Sequence, residues 1–195
     1  RMLDKLAVNK TELDGTFNTV VPSGNLLWRI SKGNKINNRT KYIKTWIREH
    51  DLSKILGDID IAPRVLESFS EGSWLTDERK RIAMKFHKYT GDLHLFFSNY
   101  PSSPTLGNQL IEKFKKLGSM RIIHCDIKFE NILFQYKNKK VEKIKIIDFD
   151  PNYLIYVDIY KEPGMNCEFA TLMNTFLFWI LLNQHRGQKK SIQMA

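Results

Sequence analysis

A chain of 195 residues with 42% hydrophobic and 12% aromatic side chains can bury a sizeable core, in one domain or in two small lobes. Its formal charge of +10 is compatible with an acidic partner, nucleic acid or an anionic membrane surface. Two cysteines, Cys125 and Cys167, are too few for a disulfide framework, no Cys/His cluster has zinc spacing, and a reducing compartment fits best.

The lysines group at residues 113–116 and 137–145 without aromatic interleaving, so they read as a solvated face and nucleic acid is not expected as a partner. No continuous apolar run approaches the roughly 20 residues of a membrane span. The longest run, residues 176–182, reads as a core helix. No signal peptide is seen, and a chain that begins with Arg1 fits a fragment or a processed form.

In chain order, residues 13–20 hold a glycine turn, and Pro22-Ser23-Gly24-Asn25 is a second turn. Residues 26–30 (Leu-Leu-Trp-Arg-Ile) read as a buried strand. Residues 40–56 read as a helix whose stripe is Ile43, Trp46, Ile47, Leu52, Ile55 and Leu56. Strands are expected at residues 64–69, after Pro63, and at residues 81–87. A loop at residues 100–104 leads to a helix at residues 106–117 with Leu110, Ile111, Phe114 and Leu117 inward. A hairpin is expected from residues 132–134 and 144–147. Glu162-Pro163-Gly164 is a turn before an apolar helix at residues 168–182.

The chemistry concentrates in two places. His124-Cys125-Asp126-Ile127-Lys128-Phe129-Glu130-Asn131 sets a carboxylate, a lysine and an amide at fixed spacing, and Ile146-Ile147-Asp148-Phe149-Asp150 supplies a second carboxylate. Such a set can hold a phosphate-bound metal beside a hydroxyl that must lose a proton. On a purely structural reading the same residues are surface turns of a hairpin.

Residues 122–134 and 146–150 resemble the His-Arg-Asp-Leu-Lys-x-x-Asn catalytic loop and the Asp-Phe-Gly metal motif of eukaryotic-type protein kinases. The resemblance implies an α+β, two-lobed protein-kinase-like fold with a minimal C-lobe, residues 1–86 forming the N-lobe and 87–195 the C-lobe. It implies an ATP-dependent serine/threonine protein kinase that uses ATP and magnesium. Asp126 would be the catalytic base, Lys128 would reach the transferring phosphate, and Asn131 and Asp148 would hold the metal. His124 would pack the loop.

The same resemblance extends to the first half of the chain. Gly15, Phe17 and Val20 match the glycine-rich lid over the phosphates, whereas Leu13 and Asn18 replace its outer glycines. Arg29 stands where the family has its phosphate-gripping lysine, with Lys32 as the other candidate, and Glu49 would pair with one of them. Met84 would line the pocket behind adenine, which would bond to backbone groups around Lys85 to His87. Gly91-Asp92-Leu93 resembles the family's segment after the hinge. Asp150 replaces the family's glycine and would bind a second metal or stiffen the motif, the other reading being a solvent-facing acid. Little room is left after it for a long activation segment. Glu168 would stand in for the aspartate that anchors the catalytic loop.

Three alternatives remain: a pseudokinase binding module, a small-molecule kinase of the aminoglycoside phosphotransferase type, and a basic nucleic-acid-binding protein with only its charge in favour. Expected partners are a protein substrate and an acidic activating partner. Similarity to the reduced kinases of large DNA viruses and bacterial effectors places the chain in the cytoplasm, or in a host's cytoplasm.

Overall fold

A computed structural model of the chain describes residues 13–14, 18–31, 39–71, 81–101 and 103–193. The fold mixes helices with antiparallel sheets and divides into two compact units, Arg1–Lys88 and Tyr89–Ala195. The division falls two residues later than the expected boundary after residue 86.

The first unit is built on five strands: β1 (Leu13–Asp14), β2 (Asn18–Ser23), β3 (Leu26–Ser31), β4 (Glu67–Glu71) and β5 (Arg81–His87). Their spatial order is β1-β2-β3-β5-β4, with every neighbour antiparallel. Gly24, at φ 61, closes the tight β2–β3 turn in a conformation that most side chains resist. Both faces of the sheet are apolar. Val21, Trp28, Ile30 and Ala83 pack with Phe69 on one face, and Ile82, Met84 and Phe86 pack with Leu27 and Val65 on the other. Each of the larger aliphatic, Met and Phe side chains among them contributes about 1.5–3 kcal/mol when fully buried.

Helix α1 (Arg39–Asp58) buries Leu56 completely but leaves Ile55 51% exposed, so Ile55 does not belong to the inward stripe. The strand expected at residues 64–69 is displaced to Glu67–Glu71. The cause is the tight exit from α1. The Leu56 carbonyl accepts from the N–H groups of both Ile61 and Ala62, and Gly57 approaches so closely that a Cβ there would lie 2.9 Å from the Pro63 carbonyl oxygen. The chain joins the sheet only at Leu66, whose N–H donates to Lys85.

The second unit begins with β6 (Gly91–Asp92) and α2 (Leu93–Asn99), capped by Asp92, whose Oδ1 accepts from Leu95 N–H at 2.9 Å. Helix α3 (Pro104–Ser119) follows, then β7 (Ile122–His124), β8 (Ile132–Lys137), β9 (Lys140–Ile146), β10 (Leu154–Tyr156) and α4 (Pro163–Gln193). Strands β6, β8 and β9 form one antiparallel sheet, and β7 with β10 a second. On α3 the buried stripe runs through Leu106, Leu110, Phe114 and Leu117. Ile111, expected inward, is 47% exposed, because one residue past Leu110 rotates it about 100° off that stripe.

Helix α4 is far longer than the expected residues 168–182. It buries Asn166, Ala170, Asn174 and Phe178 at four-residue spacing, while Leu172, Phe176 and Trp179 face outward. Its stretch Pro163–Gly187 is long and apolar enough, by length and composition alone, to cross a membrane. In this fold its buried side packs along α3 and β7.

The α3–α4 approach depends on Gly118, where an added Cβ would lie 1.8 Å from Thr171 Oγ1 and 2.8 Å from the Cys167 carbonyl oxygen. Gly118→Ala is expected to lower stability by about 1–3 kcal/mol. Gly107→Ala, on the same helix with nothing within 4 Å, is expected to raise it by about 0.5–1 kcal/mol. Chemical denaturation of the two variants checks both signs.

Candidate active site

Strand β7 ends at His124, opposite Leu154 of β10, and the next residue, Cys125, donates its N–H to the Tyr153 carbonyl. His124 has no exposed surface. Its Nδ1 accepts from Asp126 N–H at 3.2 Å, which leaves Nε2 to donate to the Ile147 carbonyl at 3.0 Å. That network assigns a neutral ring with the proton on Nε2. Burial holds the imidazole pKa below its ordinary value, against the opposing pull of Asp148 and Asp126. The ring also meets Phe149 edge-on, with centroids 5.0 Å apart. His124 is therefore a brace between the loop and the Asp148 segment.

Two further residues converge on Asp126. Its Oδ2 receives Lys128 Nζ at 2.8 Å and Asn131 Nδ2 at 3.1 Å, and the same Nδ2 lies 2.9 Å from the Asp126 carbonyl oxygen. A 3₁₀ turn, Phe129–Asn131, brings Asn131 back to Asp126 and buries it. The Asn131 backbone carbonyl accepts from Ile147 N–H at 2.9 Å. Both polar backbone groups of Ile147 are thus committed, one to Asn131 and one to His124, and the next residue is Asp148. Asp148 sits at φ 68, a left-handed conformation that Asp tolerates better than bulkier residues. The hydrogen bond to Asp126 raises the Lys128 pKa above its ordinary value, with the charges of Asp126, Asp148 and Glu130 adding to it. Asp126, Lys128 and Asn131 therefore form one hydrogen-bonded group, and the charge of Asp148 acts on its lysine.

The donor set suits magnesium better than a softer metal. Among the described residues no group of three or more His, Cys, Asp or Glu side chains is gathered. One carboxylate, Asp148, and one amide oxygen, that of Asn131, are hard donors of the kind that suffices when waters and phosphate oxygens complete the shell. Asp150 is taken up otherwise, since its Oδ1 accepts from both the N–H and the Nδ2 of Asn152, at 2.8 Å each, and caps the turn Pro151–Tyr153.

Glu168, expected to anchor the loop, is exposed. The anchor is Asn174, one helical face away and fully buried. Its Oδ1 accepts from His124 N–H at 2.9 Å, and its Nδ2 donates to the carbonyls of Ile122 at 2.8 Å and Ala170 at 3.0 Å. Asn166, two turns earlier on the same face, secures Ile159 and Tyr160 in the same manner. Two asparagines in step with an apolar stripe were the signal in the sequence that could have revealed this.

In the first unit, the register places Val20, Arg29 and Met84 in one row across β2, β3 and β5, hence on one face. Arg29 Nη2 lies 2.6 Å from Oε1 of the buried Glu49. Gly15 and Lys32 lie outside the described residues. Met84 is fully buried, and His87 is exposed at the end of β5. Lys85 points its side chain to the opposite face, where Nζ lies 3.0 Å from Glu67 and 5.1 Å from the Trp28 ring centroid. Its carbonyl, one of the backbone groups expected to meet adenine, accepts from Leu66 N–H.

No protein-family model and no curated protein sequence matches this chain.

Two measurements probe the bracing. Because burial depresses the His124 pKa, the unfolded chain takes up a proton that the folded chain refuses. His124 should therefore remove stability as the pH falls below the unfolded value of about 6.5. Thermal melts between neutral and mildly acidic pH should show a shallower loss in His124→Gln. At Asn174, substitution by Asp would aim a carboxylate at the Ile122 and Ala170 carbonyls, so only its protonated form can both donate and accept. Asn174→Asp should come nearest the parent at a pH near the unfolded aspartate value of about 3.9, short of it by the one carbonyl its single O–H cannot reach, and become progressively less stable above that pH. Asn174→Leu should be destabilised by a constant amount throughout that range, beyond the parent's own pH dependence.

Proposed function

We propose that this chain is an ATP-dependent phosphotransferase acting on hydroxyl groups, a serine/threonine protein kinase in type. The observation that carries the reading is the hydrogen-bonded set Asp126–Lys128–Asn131, tied through Ile147 to a left-handed Asp148. A buried core needs none of these polar groups. The Arg29–Glu49 pair supports the same reading, because the kinase resemblance implies a strand cation paired with a helix glutamate.

In this mechanism Asp126, oriented by Lys128 and Asn131, accepts the proton of the substrate hydroxyl. That oxygen attacks the terminal phosphorus as the bond to the leaving ADP oxygen breaks. Lys128 stays protonated, its pKa raised by Asp126, and offers its charge to the transferring phosphate. Asp148 and the amide oxygen of Asn131 would hold magnesium, which when bound neutralises phosphate charge. His124, neutral and buried, transfers no proton and keeps Asp126 and Asp148 in register.

A second reading, transfer to a small molecule, draws on the stretch after Asp150. Residues 151–162 are spent on a 3₁₀ turn, β10 and a bend leading straight into α4, which leaves no long segment for a peptide to lie on.

Transfer of labelled phosphate from ATP to protein and to aminoglycoside acceptors separates the two readings. Asp126→Asn should cut transfer by about 10²-fold or more while nucleotide affinity stays close to the parent's. Asp148→Asn should abolish the magnesium-dependent part of the thermal shift given by ATP. Transfer unchanged in Asp126→Asn would remove Asp126 from the chemistry, and no transfer by the parent to either class of acceptor would end the phosphotransferase reading.

A further inference from the structure

The net charge of the second unit sits on one hairpin. Outside residues 137–145, nine lysines and arginines balance nine aspartates and glutamates between Tyr89 and Ala195. Within residues 137–145, five lysines face one glutamate. Lys145 is buried, whereas Lys137, Lys139, Lys140 and Lys143 are exposed.

The backbone concentrates these four cations. Asn138 at φ 52 and Lys139 at φ 61 form a two-residue turn between β8 and β9, and Lys137 lies directly across from Lys140. A bulge then pairs Gln135 with Lys143 and Tyr136 with Val141, which leaves Glu142 as the extra residue. The phase shift turns Val141, Ile144 and Ile146 all inward and sends Lys143 out with Lys140. Like charges directly opposite one another destabilise a strand pair. Among the described residues none of these four lysines forms an ion pair that would relieve that repulsion.

We propose that the β8–β9 tip is a docking site for an acidic protein segment, a run of Asp and Glu side chains. The chemistry of the tip selects this partner over other polyanions. Base stacking needs an exposed aromatic side chain, but Tyr136, the nearest aromatic, is half-buried with its ring centroid 4.7 Å from that of Tyr100. Insertion into a bilayer needs an exposed apolar side chain, and no large one is exposed between Phe129 and Asn152. The cations are all lysines, compact point charges that suit dispersed carboxylates rather than the forked geometry of arginine. This inference is independent of the phosphotransferase reading.

The test uses the full chain and a fluorescent oligoglutamate peptide, followed by anisotropy across a salt series. The parent should bind at low salt and weaken as salt rises. Changing Lys137, Lys139, Lys140 and Lys143 together to Gln should weaken binding by about tenfold or more. Lys115→Gln combined with Lys161→Gln should leave binding near the parent's. Absence of binding by the parent at low salt, or an equal loss in the control, would overturn the site. Tighter binding of oligothymidylate or of phosphatidylserine vesicles than of the peptide would overturn the partner. Lys140→Gln alone should raise the melting temperature, since it removes the opposed charge; a lower one would remove the physical basis of the proposal.

Discussion

The side chain of Asn174 is the fixed point of the second unit. It is fully buried on α4, and its amide meets one N–H and two carbonyls of three other residues. A buried backbone group left unmatched costs about 1–3 kcal/mol, so a single side chain here decides where β7 can lie. An asparagine can do this because it offers donors and an acceptor together; a carboxylate at neutral pH offers only acceptors. Asp126, two residues beyond His124, follows directly on that attachment.

From there the order propagates through backbone groups rather than through the charged side chains. His124 and Asn131 between them occupy both polar groups of Ile147, so the loop and the Asp148 segment cannot move apart without exposing buried donors or acceptors. The left-handed backbone of Asp148 is held by this enclosure. Apolar packing closes it further, with Phe149 against His124 and Phe129 against Phe97 and Phe178. The polar group gathered around Asp126 thus rests on a rigid, neutral support, which is what positioning chemistry requires.

In the first unit the Arg29–Glu49 pair connects β3 to α1 with Glu49 almost wholly removed from water. A buried ion pair is a weak source of stability, since desolvation offsets much of the attraction. Its value lies in fixing which face of β3 carries the cation. Val20 and Met84 flank Arg29 in the same row, while Lys85, one residue on, is carried to the other face by strand alternation.

The sequence by itself determined the short-range features. Leu26 to Ile30 and Arg81 to His87 are dense in β-branched or bulky apolar residues, and they are strands. The spacing of Asp126, Lys128 and Asn131 was legible because all three lie within one local turn, where chain geometry alone brings them near each other. Tertiary structure decided what depends on residues far apart in the chain. Glu168 and Asn174 are both polar residues on one apolar helix, and only the packing of α4 on β7 selects which of them reaches the loop. Asp150 was open between metal ligand, stiffener of the motif and solvent-facing acid, and only the folded turn shows that its Oδ1 holds Asn152. The bulge that aims Lys143 outward depends on the register between β8 and β9, which hydrogen bonding across the pair fixes and residue order does not.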